Sequence, residues 1–207
     1  MAPGRPSTWG WTKTEPSNLV SAQTHTPAPQ KRLSQMLETK EVDRGYQTAR
    51  PNNSLTKNNA RDEISSALNC LLADFFTLYV KTKNFHWHMS GPHFRDYHLL
   101  LDEQADQIFG VLDLIAERVR KMDRATIRSI GQISRLQRIA DSEIASPTPL
   151  SMLRALHDDN VQLISYMHEV HYLSGSYGDV ATTSVLETWI DEADRRVWFL
   201  SESARGS

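Results

Sequence analysis

Lys83-Asn84-Phe85-His86-Trp87-His88-Met89-Ser90-Gly91-Pro92-His93-Phe94, continued by His98, Asp102, Asp113 and Glu117, decides how this chain is read. Gly91-Pro92 ends one helical pattern and opens another, because glycine turns the chain and proline is tolerated only in a helix's first turn. Beyond it, Phe94, Tyr97, Leu101, Ala105, Ile108, Leu112, Ile115 and Val119 recur at steps of three and four, as one buried stripe of a helix does. At about 100° per residue, His98, Asp102, Asp113 and Glu117 fall within roughly one quadrant of that helix. His98 with Asp102, and Asp113 with Glu117, are each one turn apart, so either pair can converge on one ligand. The pairs themselves are separated by about 16 Å along the axis at 1.5 Å per residue. One straight helix cannot bring all four to one metal ion. An antiparallel second copy can, by setting the first pair of one chain opposite the second pair of its twofold partner. Histidine with carboxylate suits iron.

The run Lys-x-x-His-Trp-x-x-x-Gly-x-x-Phe-x-x-x-His-x-x-x-Asp, followed by Asp-x-x-x-Glu-Arg, is filled at every position from Lys83 to Arg118. In this it closely resembles the Dps-type miniferritins, and a weaker likeness extends over roughly residues 58 to 202. The resemblance implies a ferroxidase centre between two subunits, with two irons per site held by His86, His98, Asp102, Asp113 and Glu117. It places Trp87 close to that site, as a packing residue and possible sacrificial electron donor. It implies a hollow dodecamer with acid-lined threefold pores, for which Asp179, Glu187 and Asp191 are the candidates. Ser184 stands where the family often carries an acid, which makes such a pore less negative.

The rest of the sequence is consistent with an all-α, ferritin-like four-helix bundle over residues 58–203, with a four-residue tail at 204–207. Ile64, Leu68, Leu71, Leu72, Phe75 and Tyr79 lead one helical face to His86, with Asn59 expected as the cap and Asp62 and Glu63 in the first turn. After Met122 a long connection carries a weak pattern (Ile127, Ile130, Ile133, Leu136, Ile139). Its length lets the flanking helices run parallel across a bundle. Pro147 and Pro149 open a third long helix through Leu150, Leu153, Leu156, Val161, Ile164 and Met167 to about Tyr172, ended by Gly175 and Gly178. The fourth, about Ala181 to Ser203, should bury Val185, Leu186, Trp189, Ile190, Ala193, Val197, Trp198 and Leu200.

Residues 1–57 read differently. Prolines interrupt them, polar residues fill the gaps, and basic residues outnumber acids, as in a disordered basic arm. Lys13, Lys31, Arg32, Lys40, Arg44, Arg50 and Lys57 are its candidate DNA contacts. A solvated tail, or a true start at Met36, is the bland alternative. The 207-residue chain carries a formal net charge of −2, so nothing global demands nucleic acid. The single cysteine, Cys70, lies in an apolar helical pattern, which excludes a disulfide framework and fits a reducing cytoplasm. No apolar run approaches a membrane span. His88 and His93 read as surface residues, and His168 with His171 as a possible transition-metal pair. His168-Glu169-Val170-His171 is one residue short of the metalloprotease spacing, and no phosphate loop or nucleophile elbow appears.

The expected function is oxidation of Fe(II) by hydrogen peroxide or oxygen, with storage of Fe(III) in a hollow homo-oligomer and protection of DNA from oxidative damage. The alternative is a nucleoid-associated protein that binds double-stranded DNA through its arm, where many weak basic segments on one particle act by avidity.

Overall fold

The computed structural model describes residues 53–205. Within them are four long helices and one short one: α1 (Asn53–His88), α2 (Phe94–Lys121), α3 (Ile130–Leu136), α4 (Pro149–Ser176) and α5 (Val180–Ser203). No strand occurs among the described residues.

Long-range contacts give the direction of each helix. His86 meets His98 while Asp62 meets Arg124, so α1 and α2 are antiparallel. Lys81 pairs with Asp159 and Glu63 accepts from Tyr177, so α4 also runs against α1. Asn160 with Arg196, and His171 with Glu187, make α4 and α5 an antiparallel hairpin. It follows that α2 and α4 are parallel, which is what the long connection allows.

The core is the apolar stripe of each helix. Leu101, Ala105, Ile108, Leu112, Ile115 and Val119 of α2 are buried as the periodicity requires. So are Ile64, Leu68, Leu71, Leu72 and Phe75 of α1, Leu153, Leu156 and Met167 of α4, and Leu186, Trp189, Ala193 and Leu200 of α5. Each fully buried leucine or isoleucine contributes about 1.5–3 kcal/mol relative to exposure. Phe94, Val161 and Trp198 depart from expectation and are exposed. Their stripes wrap further round the helix than one chain's bundle covers.

Two element ends differ from the sequence reading. α1 begins at Asn53, not with a cap at Asn59, and no acid stands in its first turn. Nothing from Asn53 to Ser90 is proline or glycine, so a nucleated helix propagates freely. Arg124 secures this end through Asp62 and the Asn58 carbonyl. α4 passes Tyr172 and Gly175 to end at Ser176, with Gly178 (φ 73°) making the left-handed turn into α5. Thr148 caps α4 by accepting from the Ser151 N–H, with Pro149 in its first turn.

The crossover, residues 122–148, is held by a polar row on α1. Asn69 donates to the Ala125 carbonyl (3.0 Å), Thr77 to Gln137 (3.1 Å), Lys81 to the Ala140 carbonyl (2.9 Å) and Asn84 to the Ser142 carbonyl (3.2 Å). At its centre the fully buried Asp74 accepts from the Arg138 backbone (2.6 Å), the Ile139 backbone (3.2 Å) and the Arg138 guanidinium (2.6 and 2.9 Å). The guanidinium also lies 3.6 Å from the centroid of the Tyr166 ring on α4. No helix among the described residues is long and apolar enough to cross a membrane.

Candidate metal centre

The turn between α1 and α2 builds the site. Gly91 has φ 96°, a conformation that suits glycine, and its carbonyl accepts from the Phe94 N–H at 3.0 Å as α2 starts. The reversal lays the His86 and His98 imidazoles on one another, with ring centroids 3.7 Å apart and planes 22° from parallel. Each ring is held by the other residue's backbone: His86 Nδ1 lies 2.8 Å from the His98 carbonyl, and His98 Nδ1 lies 3.0 Å from the His86 carbonyl. A carbonyl oxygen can only accept, so both Nδ1 atoms must carry hydrogen. In a neutral ring the lone pair is then on Nε2, the arrangement of a metal-binding histidine with its second nitrogen anchored.

His86 Nε2 lies 3.7 Å from Asp102 Oδ1, so α2 adds a carboxylate to the pair one turn beyond His98. Lys83 Nζ donates to the same oxygen at 2.6 Å. That hydrogen bond is the main cause, ahead of an opposing desolvation effect, of a carboxyl held below the usual carboxylate range. Asp102 is therefore an anion at neutral pH, with Oδ1 bridged to Lys83 and Oδ2 free of that bond. The Phe94 ring sits 5.0 Å from that of His98, and Trp87 is 64% exposed beside His86.

Asp113 and Glu117 are not with them. Both are exposed further along α2, and Glu117 accepts from Lys121 at 2.9 Å. Asp113 borders an open groove whose walls include Phe76, Phe109, Leu112 and Ile127. Among the described residues, no group of three or more His, Cys, Asp or Glu side chains is placed to hold a metal ion. The predicted ligands thus form two patches on one chain: His86, His98 and Asp102 in the first, Asp113 and Glu117 in the second.

The other candidates are placed as follows. Asp179 caps α5, accepting from the Thr182 N–H (3.1 Å) and hydroxyl (2.6 Å), and takes Arg118 Nη2 at 2.7 Å. Burial disfavours its charge, but the hydrogen bonds from Thr182 and Arg118 outweigh that and hold its carboxyl below the usual range. Glu187 lies 3.1 Å from His171 Nε2, across the α4–α5 hairpin, while Asp191 and His168 are exposed. His88 is exposed with Nδ1 2.8 Å from the Asn84 carbonyl, and exposed His93 packs on Tyr97. Burial pushes the half-buried Cys70 thiol up, away from a reactive thiolate. Lys57 is exposed in the early turns of α1. Lys13, Lys31, Arg32, Lys40, Arg44 and Arg50 lie outside the described residues. The sequence reading assigned no role to Lys83 or Arg196. Lys83 was legible in principle, since it stands one turn before His86 on the same helix.

Fold and site together define a four-helix bundle whose first hairpin brings two histidines and a carboxylate together near its turn. The ferritin-like domain matches residues 65–205, and the chain belongs to the ferritin-like family as a Dps-type miniferritin. It is 32% identical over 147 residues to an uncharacterised low-temperature-induced protein of Nostoc sp. (strain PCC 7120), covering 70% of this chain and 82% of that protein. It is 30% identical to the DNA protection during starvation protein of Agrobacterium fabrum, over 69% of this chain and 88% of the relative. The DpsC structure from Streptomyces coelicolor superposes with a TM-score of 0.70 at 25% identity, covering 72% of this chain and 87% of the other.

Proposed function

We propose that the protein is a ferroxidase and iron-storage miniferritin whose di-iron site forms between two copies of the chain. His86, His98 and Asp102 of one copy would face Asp113 and Glu117 of the other. The observation that carries this reading is the anchored histidine pair: two stacked imidazoles, each with Nδ1 committed to a carbonyl, leave two Nε2 donors beside an ionised carboxylate. Three donors are too few for two ions, and the chain's other two matching carboxylates stand about 16 Å away along the same helix. Exposed Phe109 and Leu114 beside Asp113 give a second copy an apolar surface to cover.

Iron here is substrate. Two ferrous ions each give up one electron, and the two electrons with two protons convert one hydrogen peroxide to two waters; oxygen serves as the alternative oxidant. The chain's residues bind and orient. Carboxylates favour the harder ferric product over the ferrous substrate, and the imidazoles hold Fe(II) while leaving positions open. Lys83 keeps Asp102 ionised and fixes one of its oxygens. The ferric product would then be stored in a hollow homo-oligomer, with twelve copies as the family resemblance implies. Removing Fe(II) and peroxide together limits radical damage, which is how such a cage protects DNA.

Stopped-flow absorbance of ferric formation after adding Fe(II) to the metal-free protein tests this directly. Fast oxidation saturating at about two irons per site is expected, and the faster of peroxide and air identifies the working oxidant. Oxidation no faster than in buffer refutes the assignment.

A second reading, DNA binding through residues 1–57, rests on the excess of basic over acidic residues in that segment; the Agrobacterium relative is named a DNA protection during starvation protein. Its candidate contacts are Lys13, Lys31, Arg32, Lys40, Arg44, Arg50 and Lys57. A chain lacking residues 1–57 should keep ferroxidation and lose any DNA mobility shift. Undiminished binding after truncation rules the arm out.

A further inference from the structure

Arg196 of α5 is the bulkiest of the deeply buried side chains, at 2% exposure. Its Nε donates to Asn160 Oδ1 at 2.9 Å, and Asn160, itself buried, is braced by donating to the Leu156 carbonyl at 2.7 Å. Neither Nη1 nor Nη2 of Arg196 meets a hydrogen-bond acceptor among the described residues. The same holds for Nε2 of Gln104, a buried residue of α2. Arg196 and Gln104 both line one small cavity under the α2–α5 seam, together with Glu103, Gln107, Arg195 and Phe199.

The imbalance is one of charge as well as hydrogen bonds. A guanidinium has five N–H groups, of which one is used here; those on Nη1 and Nη2, and the amide hydrogens of Gln104, have no acceptor. Burial pushes the Arg196 pKa down to about 10, so the group is still a cation at neutral pH. An uncompensated buried charge is strongly unfavourable. Glu192, one turn earlier on α5, favours that charge at a distance without accepting from Nη1 or Nη2. Glu103, at the cavity, leans toward Arg195 with 4.0 Å between Oε1 and Nη2. Turning the Gln104 amide over would supply one neutral acceptor and no charge. What the cavity lacks is a small, negatively charged acceptor.

We propose that Arg196 and Gln104, braced by Asn160, form a buried site for one small monovalent anion, chloride, beneath the α2–α5 seam. The ion accepts from both Nη groups and from the Gln104 amide, and ties α5 to α2 through the core. Binding of this kind favours the folded state and should make stability depend on chloride itself rather than on ionic strength. The cavity is lined from α2 and α5, and neither His86 nor His98 borders it.

The test uses the full-length protein. Crystals soaked in sodium bromide should show an anomalous peak within hydrogen-bonding reach of Arg196 Nη1 and Nη2, lost in Arg196→Gln. In solution, with gluconate making up a constant ionic strength, the wild-type unfolding midpoint should rise with chloride concentration and then saturate. Gln104→Leu, which keeps the arginine, should weaken that response, so the test survives if Arg196→Gln fails to fold. A wild-type crystal with no bromide there, with Glu103 or a neighbouring chain's carboxylate on the guanidinium, overturns the proposal. So does a midpoint identical in chloride and gluconate.

Discussion

Splitting the ligand set between two chains predicts rescue between two inactive variants. His98→Ala damages the first patch and leaves Asp113 and Glu117 intact; Asp113→Ala does the reverse. Each variant alone should lose rapid ferroxidation, because every site then contains one damaged half. In a twofold pair of one chain of each kind, one site combines the two damaged halves and the other combines the two intact halves. Random co-assembly makes about half of the pairs mixed, so about a quarter of all sites are restored. The assay is co-expression with two affinity tags, purification of mixed particles, and stopped-flow initial rates scaled to the measured subunit ratio. The expected rate is about one quarter of wild type at equal incorporation. The geometry leaves little room for a rival account, since Asp113 stands about 16 Å from Asp102 along the same rigid helix. Mixed particles no faster than either variant alone would refute the shared site. A site closed within one chain predicts that result, because every chain in the mixture is then defective.

Two further predictions concern the scaffold. Asp74→Ala removes a fully buried carboxylate that accepts from Arg138 and the Ile139 backbone, leaving a mostly buried guanidinium without its counterion. It should cost about 3–5 kcal/mol in urea unfolding at fixed protein concentration; a change within 1 kcal/mol contradicts the role given to this anchor. The hydrogen bonds from Thr182 and Arg118 outweigh burial and hold the folded Asp179 carboxyl below its ordinary pKa, so the unfolded chain binds more protons as the medium acidifies. Its contribution to stability is present above pH 3.8 and is lost as pH falls through the lower folded value. Asp179→Asn should therefore flatten the acid limb of the stability profile, and an unchanged limb shows that the pair with Arg118 is not responsible.

Much of this was visible in the residues. The α2 stripe from Leu101 to Val119 appears in the structure as written, because a helix packed along one face must repeat apolar residues at its own period. The one-turn step from His98 to Asp102 was equally readable. The opposite holds for α1, where Asp74, Thr77 and Lys81 are buried. Polar residues at steps of three and four look like a solvent face, and only the crossover lying over them makes them interior. Trp198, Val161 and Phe94 show the same limit from the other side. A stripe states which residues seek burial and does not say which surface provides it.

The helices, their order, the turn at Gly91-Pro92 and the spacing of the histidines and carboxylates are legible in the residues, because each follows from local periodicity and backbone stereochemistry. What those residues face is set by the tertiary structure. It locked both Nδ1 atoms of the histidine pair to carbonyls, joined Lys83 to Asp102, laid the crossover on the polar row of α1, and left Arg196 buried with two nitrogens unmet. Such relations depend on groups distant in the chain, and packing alone brings them within hydrogen-bonding range.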